Sequence, residues 1–146
     1  MELLAKKNCY SRRNIARFLV IQAYYSAMFV DYKYSEELID YINEVAHLFG
    51  FYSFDNQFLL KLLDGIIDNP KKLDTVIESN LSPKWSLTRI NLISLAVLRT
   101  AAYELVNCDT PVAVVINEYT NISSDLLDKA SEISFINAIL NKINNT

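Results

Sequence analysis

Apolar residues recur at helical spacing along most of the chain, and capping residues mark where the runs start. Ser11 is an N-cap for a helix from Arg12 to about Val30, with Ala16, Leu19, Ala23 and Ala27 turned toward a core. Ser35 caps a second helix, Glu36 to about Phe49. Leu38, Ile39, Ile42, Val45, Ala46 and Phe49 form its stripe, and Gly50 closes it. Asp55, with Phe54 placed as a hydrophobic staple, opens a third helix that buries Phe58, Leu59, Leu62, Leu63, Ile66 and Ile67. Asn69-Pro70 starts a fourth, through Leu73, Val76, Ile77 and Leu81, and Ser82-Pro83-Lys84 turns the chain into Trp85.

The stretch from Trp85 to Glu118 organises the rest. Leu92, Leu95 to Leu98, Ala101, Ala102, Tyr103, Leu105 and Val106 form an apolar band on most sides of one helix. Such a helix lies in the middle of a bundle, since little of its circumference can face water. Asn107-Cys108-Asp109 breaks the pattern. Thr110 as N-cap and Pro111 at the first helical position then start another helix, through Val114, Val115 and Ile116 to Asn117 and Glu118.

Composition points the same way. Hydrophobic residues make up 51% of 146 residues, which suits one domain with a real core. Only two glycines and three prolines occur, too few for a sheet with many tight turns. The expected architecture is therefore all-α, about seven helices in a single domain over residues 1–146. Cys9 and Cys108 do not make a disulfide framework and read as thiols of a reducing cytosol. The apolar run Phe18 to Val30, interrupted by Gln22 and Ser26, is too short for a bilayer span, so no membrane association is expected. Met1 to Tyr10 reads as a frayed end.

Charge is uneven. Through Arg17 the chain holds five basic residues against one acidic, and the remainder holds nine against sixteen. A basic end on an acidic body suits a local anionic partner such as nucleic acid, or simply a solubilising terminus. Arg13 and Arg17, at i and i+4, share a helix face; Tyr24 follows seven residues on, and Arg12 lies beside them. Guanidinium groups beside an aromatic ring are what phosphate contact and base stacking need. The alternative is that Tyr24 or Tyr25 packs inside while the arginines are merely solvated.

Three segments together carry a family resemblance. Trp85-x-Leu87-x-Arg89-Ile90, Ala96-x-Leu98-Arg99-x-Ala101-Ala102-Tyr103-Glu104-Leu105 and Pro111-x-x-Val114-x-Ile116-Asn117-Glu118 form the first. Arg12-Arg13-Asn14-Ile15-Ala16-Arg17 with Gln22-Ala23-Tyr24-Tyr25 is the second, and Phe135-Ile136-Asn137-Ala138-Ile139-Leu140 the third. In order and spacing they resemble the bacterial transcription-antitermination factor family NusB. The resemblance implies two packed three-helix bundles, which periodicity alone does not specify. It also implies a non-enzymatic, cytoplasmic RNA-binding protein. Its partners would be single-stranded boxA-type RNA, the small-subunit ribosomal protein NusE and the RNA polymerase antitermination complex during ribosomal RNA transcription. The site residues it implies are Arg12, Arg13, Arg17, Gln22, Tyr24, Tyr25, Lys84 and Phe135. Phe135 could equally belong to a core stripe with Ile136, Ile139, Leu140 and Ile143. After Glu118 the chain departs from the family: Ser123-Ser124-Asp125 replaces a lysine region, no glycine turn follows, and Ala138 stands for the usual glycine. Less positive charge there predicts weak, salt-sensitive RNA binding.

Other chemistry finds no support in the residues. There is no glycine-rich phosphate loop and no zinc-ligand spacing, and His47 is the only histidine, so no catalytic residue, metal or cofactor is expected. Arg99 and Glu118 each sit in an apolar stretch, where a charge is costly unless paired. They are expected to meet as a structural ion pair between their helices; the alternative is that both reach solvent. Two further functional readings stay open. One is the related RNA-binding domain of ribosomal RNA cytosine-5 methyltransferases, whose glycine-rich cofactor loop is not among these 146 residues. The other is a structural helical homodimer, which the aromatic content permits.

Overall fold

Ser11 begins the first helix as its type implies. Its hydroxyl accepts a hydrogen bond from the Asn14 amide at 3.1 Å, satisfying one of the amides that a helix start leaves without an intrahelical partner. The computed structural model describes residues 10–32 and 35–144. Residues 1–9 of the expected frayed start, Cys9 among them, lie outside those residues, whereas Tyr10 is described and stacks on Phe51 at 6.2 Å between ring centroids. The helices are α1 (Arg12–Ala27), α2 (Ser35–Leu48), α3 (Asn56–Asp68), α4 (Pro70–Glu78), α5 (Leu92–Asn107), α6 (Val112–Leu126) and α7 (Ala130–Asn144). A 3-10 turn, Leu87–Arg89, precedes α5, and no strand occurs among the described residues. The all-α expectation of about seven helices therefore holds.

Boundaries move where caps act differently from their sequence reading. Asp55 does cap α3, its carboxylate accepting from the Phe58 amide at 3.0 Å. Asn69 does not cap α4 with its side chain, which instead donates to the Gly65 carbonyl at 2.9 Å and ties the α3–α4 corner. Asn91 caps α5, its side-chain oxygen accepting from the Ile93 amide at 2.8 Å. Pro111 is the N-cap of α6 and Val112 its first residue, one position later than expected. Gly50 takes φ +75° after α2, a left-handed conformation that glycine adopts without steric cost.

The chain forms two compact units, one up to Leu63 and one from Asp64, so the division falls within α3. In the first unit α1 packs on α2. Phe18, fully buried, meets the edges of Phe49 and Phe51 at 5.1 and 5.9 Å between ring centroids. Every residue of α1 from Asn14 to Ile21 is buried, a wider buried surface than one amphipathic stripe, whereas Ala27 is exposed.

In the second unit α5 packs against α4, α6 and α7, which is the central place its apolar circumference predicts. Leu95 to Leu98, Ala101 and Ala102 are buried; the alanines let neighbouring helices approach closely. Leu92 and Val106, at its two ends, are exposed. Gly65 explains why the end of α3 belongs here: a Cβ at that position would lie 2.0 Å from Cζ of Tyr103, so glycine is what lets the Tyr103 ring sit on this backbone. Polar groups in this core are satisfied locally. The Thr100 hydroxyl donates to the Ala96 carbonyl at 2.8 Å, and the Ser123 hydroxyl to the Tyr119 carbonyl at 2.7 Å.

Candidate nucleic-acid interface

In the first unit the arginine-rich start of α1 meets the segment that opens α3. The Asp55 amide donates to the Arg12 carbonyl at 3.2 Å, and Arg12 Nη2 donates to the Phe54 carbonyl at 2.9 Å. Arg12 remains exposed. The Arg13 guanidinium lies 4.1 Å from the centre of the Phe58 ring, and its Nε is 3.6 Å from an Asp55 carboxylate oxygen. Half of the Arg13 side chain is still open to solvent, at 50%. Both groups are thus held by short contacts while part of their hydrogen-bonding capacity faces water. This preorganisation lowers the entropy lost when a flexible arginine engages an anion.

Arg17 corrects the sequence reading. It is 2% exposed, not on a solvent-facing stripe. Its Nη1 donates to the Asn14 side-chain oxygen, and its guanidinium stands 5.2 Å from the Phe58 ring centre. Arg13 and Arg17 do share a helix face, as the i, i+4 spacing requires, but Phe58 covers that face. A buried guanidinium is tolerated because it is hydrogen-bonded and lies against an aromatic face. Gln22, Tyr24 and Tyr25 are half-buried. Tyr25 meets the exposed Phe29 ring edge-on, 5.1 Å between centroids.

In the second unit Lys84 is exposed in the turn whose backbone closes with the Trp85 amide donating to the Ser82 carbonyl at 2.9 Å. Trp85 is 49% exposed. Phe135, in α7, is half-buried, while Ile136, Ile139, Leu140 and Ile143 make the core stripe on their own. Neither of the two simple expectations for Phe135, fully core or fully displayed, describes it. Its ring sits 5.6 Å from that of Trp85 at an interplanar angle of 38°. The two rings line a cleft of about 350 Å³ with Arg89, Asn91, Ser131 and Glu132. Sequence reasoning assigned Trp85, Arg89 and Glu132 no such role. The signal was present in one place: a tryptophan beside a proline turn, preceding the central helix rather than lying inside it.

Arg99 has a partner the sequence did not indicate. Its Nε and Nη2 donate to the two carboxylate oxygens of Asp74 at 2.7 and 2.9 Å, a bidentate pair between α5 and α4. Fork-to-fork geometry is the strongest form of this interaction. Glu118 is half-buried on α6, and its pairing with Arg99 stays a proposal beside this contact. A second polar contact crosses from α6 to α5 in the core: the Tyr119 hydroxyl donates to a carboxylate oxygen of Glu104 at 2.8 Å, both residues being fully buried. Among the described residues no cluster of His, Cys, Asp or Glu is arranged to hold a metal ion, and no helix is long and apolar enough to cross a membrane.

Known proteins resemble this chain in sequence and fold. The chain is similar to the transcription antitermination protein NusB of Bartonella tribocorum, 33% identical over 141 residues that cover 91% of this chain and 88% of that protein. It is 31% identical over 147 residues to the protein of the same name from Rickettsia typhi, covering 93% of each. The solved structure of T. maritima NusB superposes with a TM-score of 0.75 at 27% identity, covering 93% of this chain and 92% of that one. The NusB family model matches residues 14–145, nearly the whole of the described fold, and the chain belongs to the NusB family.

Proposed function

We propose that this protein is a cytoplasmic, non-enzymatic transcription antitermination factor that binds single-stranded boxA-type RNA together with the ribosomal protein NusE. The observation that carries this reading is the start of α1. Arg12 and Arg13 present solvent-accessible guanidinium groups, fixed by the Phe54 carbonyl, Asp55 and the Phe58 ring, within a chain of the NusB family. Guanidinium groups held at the surface suit phosphate oxygens, and the half-buried Gln22, Tyr24 and Tyr25 further along α1 suit neighbouring bases. Lys84 and Phe135 are the contributions proposed for the second unit. Arg17 drops out as a direct phosphate ligand and becomes a residue that holds Asn14 and the Phe58 side in place.

The test is an RNA mobility-shift titration with and without NusE. Weak binding to RNA alone, strengthened when NusE is present, is the expected result. No shift under either condition would remove the RNA-binding reading and leave a helical scaffold.

A further inference from the structure

Between the start of α4 and the end of α5 the second unit carries an open groove of about 500 Å³, within the range of ligand sites. Its floor is aliphatic. Leu73 is buried, Val76 is half-buried, and Val106 displays 59% of its surface at the rim. No aromatic ring is among the lining residues.

Lys71 and Lys72 line the same groove, and both are exposed. Neither makes an ion pair or a side-chain hydrogen bond among the described residues. The first acid along α4, Asp74, is already held by two nitrogens of Arg99. Helix stability gives no reason for these lysines. They lie in the first turn of α4, where the macrodipole favours acids, and that turn contains no acid. The other polar side chains of the groove are tied to backbone. Asn69 donates to the Gly65 carbonyl at 2.9 Å, Thr75 to the Lys71 carbonyl at 2.9 Å, and Asn107 to the Tyr103 carbonyl at 3.2 Å. The groups free to turn toward a ligand are therefore the two ammonium groups. Unpaired cations beside an aliphatic floor complement carboxylates on a segment that also carries aliphatic side chains. They do not complement RNA, whose unpaired bases stack on aromatic rings or guanidinium planes, and this groove offers neither.

We propose that the groove between the start of α4 and the end of α5 docks an acidic segment of a protein partner, whose carboxylates meet Lys71 and Lys72 while an aliphatic side chain packs against Val76 and Val106. The contact goes beyond the RNA–NusE assembly proposed above and does not depend on it. The basic start of α1 meets an anionic polymer, whereas this groove takes a peptide that combines negative charge with apolar bulk.

The isotope-labelled full chain is titrated with a short amphipathic peptide of leucine and glutamate, and amide shifts are followed by NMR. The amides of Lys71, Lys72, Thr75, Val106 and Asn107 should move together and saturate. A leucine–lysine peptide and a serine–glutamate peptide should leave them in place, since the first lacks the negative charge and the second the apolar side chains. Lys71→Ala combined with Lys72→Ala should weaken the peptide about 2- to 30-fold, the compounded effect of two exposed ion pairs. Raising the salt from about 0.05 to about 0.5 M should weaken it likewise, by screening. Val106→Ser should weaken it by about fourfold or more, the equivalent of one buried methylene. All three side chains are exposed, so these variants should keep the parent's helical circular dichroism. The double lysine variant should also keep the RNA mobility shift seen with NusE. A double lysine variant that binds the leucine–glutamate peptide as the parent does, or equal binding of the leucine–lysine peptide, would overturn the docking site. Larger shifts at these amides with oligouridine than with the peptide would assign the groove to RNA and also overturn it. Loss of the RNA shift in the double lysine variant alone would make the groove part of that assembly, with the same consequence. Absence of an RNA shift in the parent would remove the RNA-binding function and leave the peptide result standing.

Discussion

Arg17→Ala is the substitution on which sequence and structure disagree most sharply. If Arg17 lay on an exposed stripe, the change would lower RNA affinity and leave folding alone. The structure gives it 2% exposure, a hydrogen bond to the Asn14 side chain and a position 5.2 Å from the Phe58 ring centre. Truncation leaves the Asn14 oxygen without this donor, at a cost of about 1–3 kcal/mol. It removes a desolvated cation–π contact of about 0.5–2 kcal/mol. Two buried methylenes go as well, at about 0.8 kcal/mol each. Together these place the loss at about 3–7 kcal/mol, at or beyond the upper range for a single substitution. For a chain of this size that lowers the melting temperature by on the order of 10 °C. The assay is a thermal melt followed by circular dichroism, read beside a mobility shift at a temperature where the variant is folded. Arg17→Lys keeps the charge but loses the planar fork, and should fall between the two. A melting temperature within a degree or so of the parent, combined with reduced RNA binding, would refute the burial argument and restore Arg17 as an exposed phosphate ligand.

Four further outcomes are expected. Tyr119→Phe removes only the hydroxyl that donates to the buried Glu104 carboxylate, and should cost about 1.5–3 kcal/mol in denaturant unfolding with no change in helix content. Asp74→Ala and Arg99→Ala should each destabilise the second unit, and the double substitution should cost less than the two single losses combined; simple additivity in a double-mutant cycle would show that the bidentate pair contributes nothing. Phe135→Ala should lose about 0.5–1.5 kcal/mol from the ring pair and about 1–1.5 kcal/mol from the buried half of the ring, together below the about 3–5 kcal/mol of a fully buried phenylalanine, which a melt checks. With Arg17 removed from the phosphate contacts, two or three cations remain on the proposed interface, and the logarithmic salt slope of RNA binding should lie between about −1.4 and −2.

The helices were legible because their determinants are local. Ser11 and Asp55 cap where their side chains reach the amide three residues on, and Gly50 stops α2 by taking positive φ. The central position of α5 was legible because its apolar circumference admits little else. What the sequence could not give was the identity of partners distant along the chain. Asp74 lies on an amphipathic nine-residue helix and looks like any solvated acid; it is made a partner of Arg99 by α4 packing on α5. Glu104 is a lone acid within an apolar helix, and it is fully buried where Tyr119 from α6 reaches it.

The same limit accounts for the arginines of α1. A 3.6-residue period places Arg13 and Arg17 on one face, and that placement is correct, but periodicity says nothing about what lies over the face. Phe58 lies there, and it treats the two residues unequally: Arg13, one turn nearer the helix start, reaches past the ring to Asp55 and to water, while Arg17 is enclosed. The charge count of the N-terminal segment therefore overstates what a ligand meets. An anion approaching this end of α1 encounters Arg12 and Arg13; Arg17 acts on it only through the Asn14 and Phe58 side chains it supports. Electrostatic attraction should thus follow the first two arginines, and the stability of the surface that displays them should follow the third.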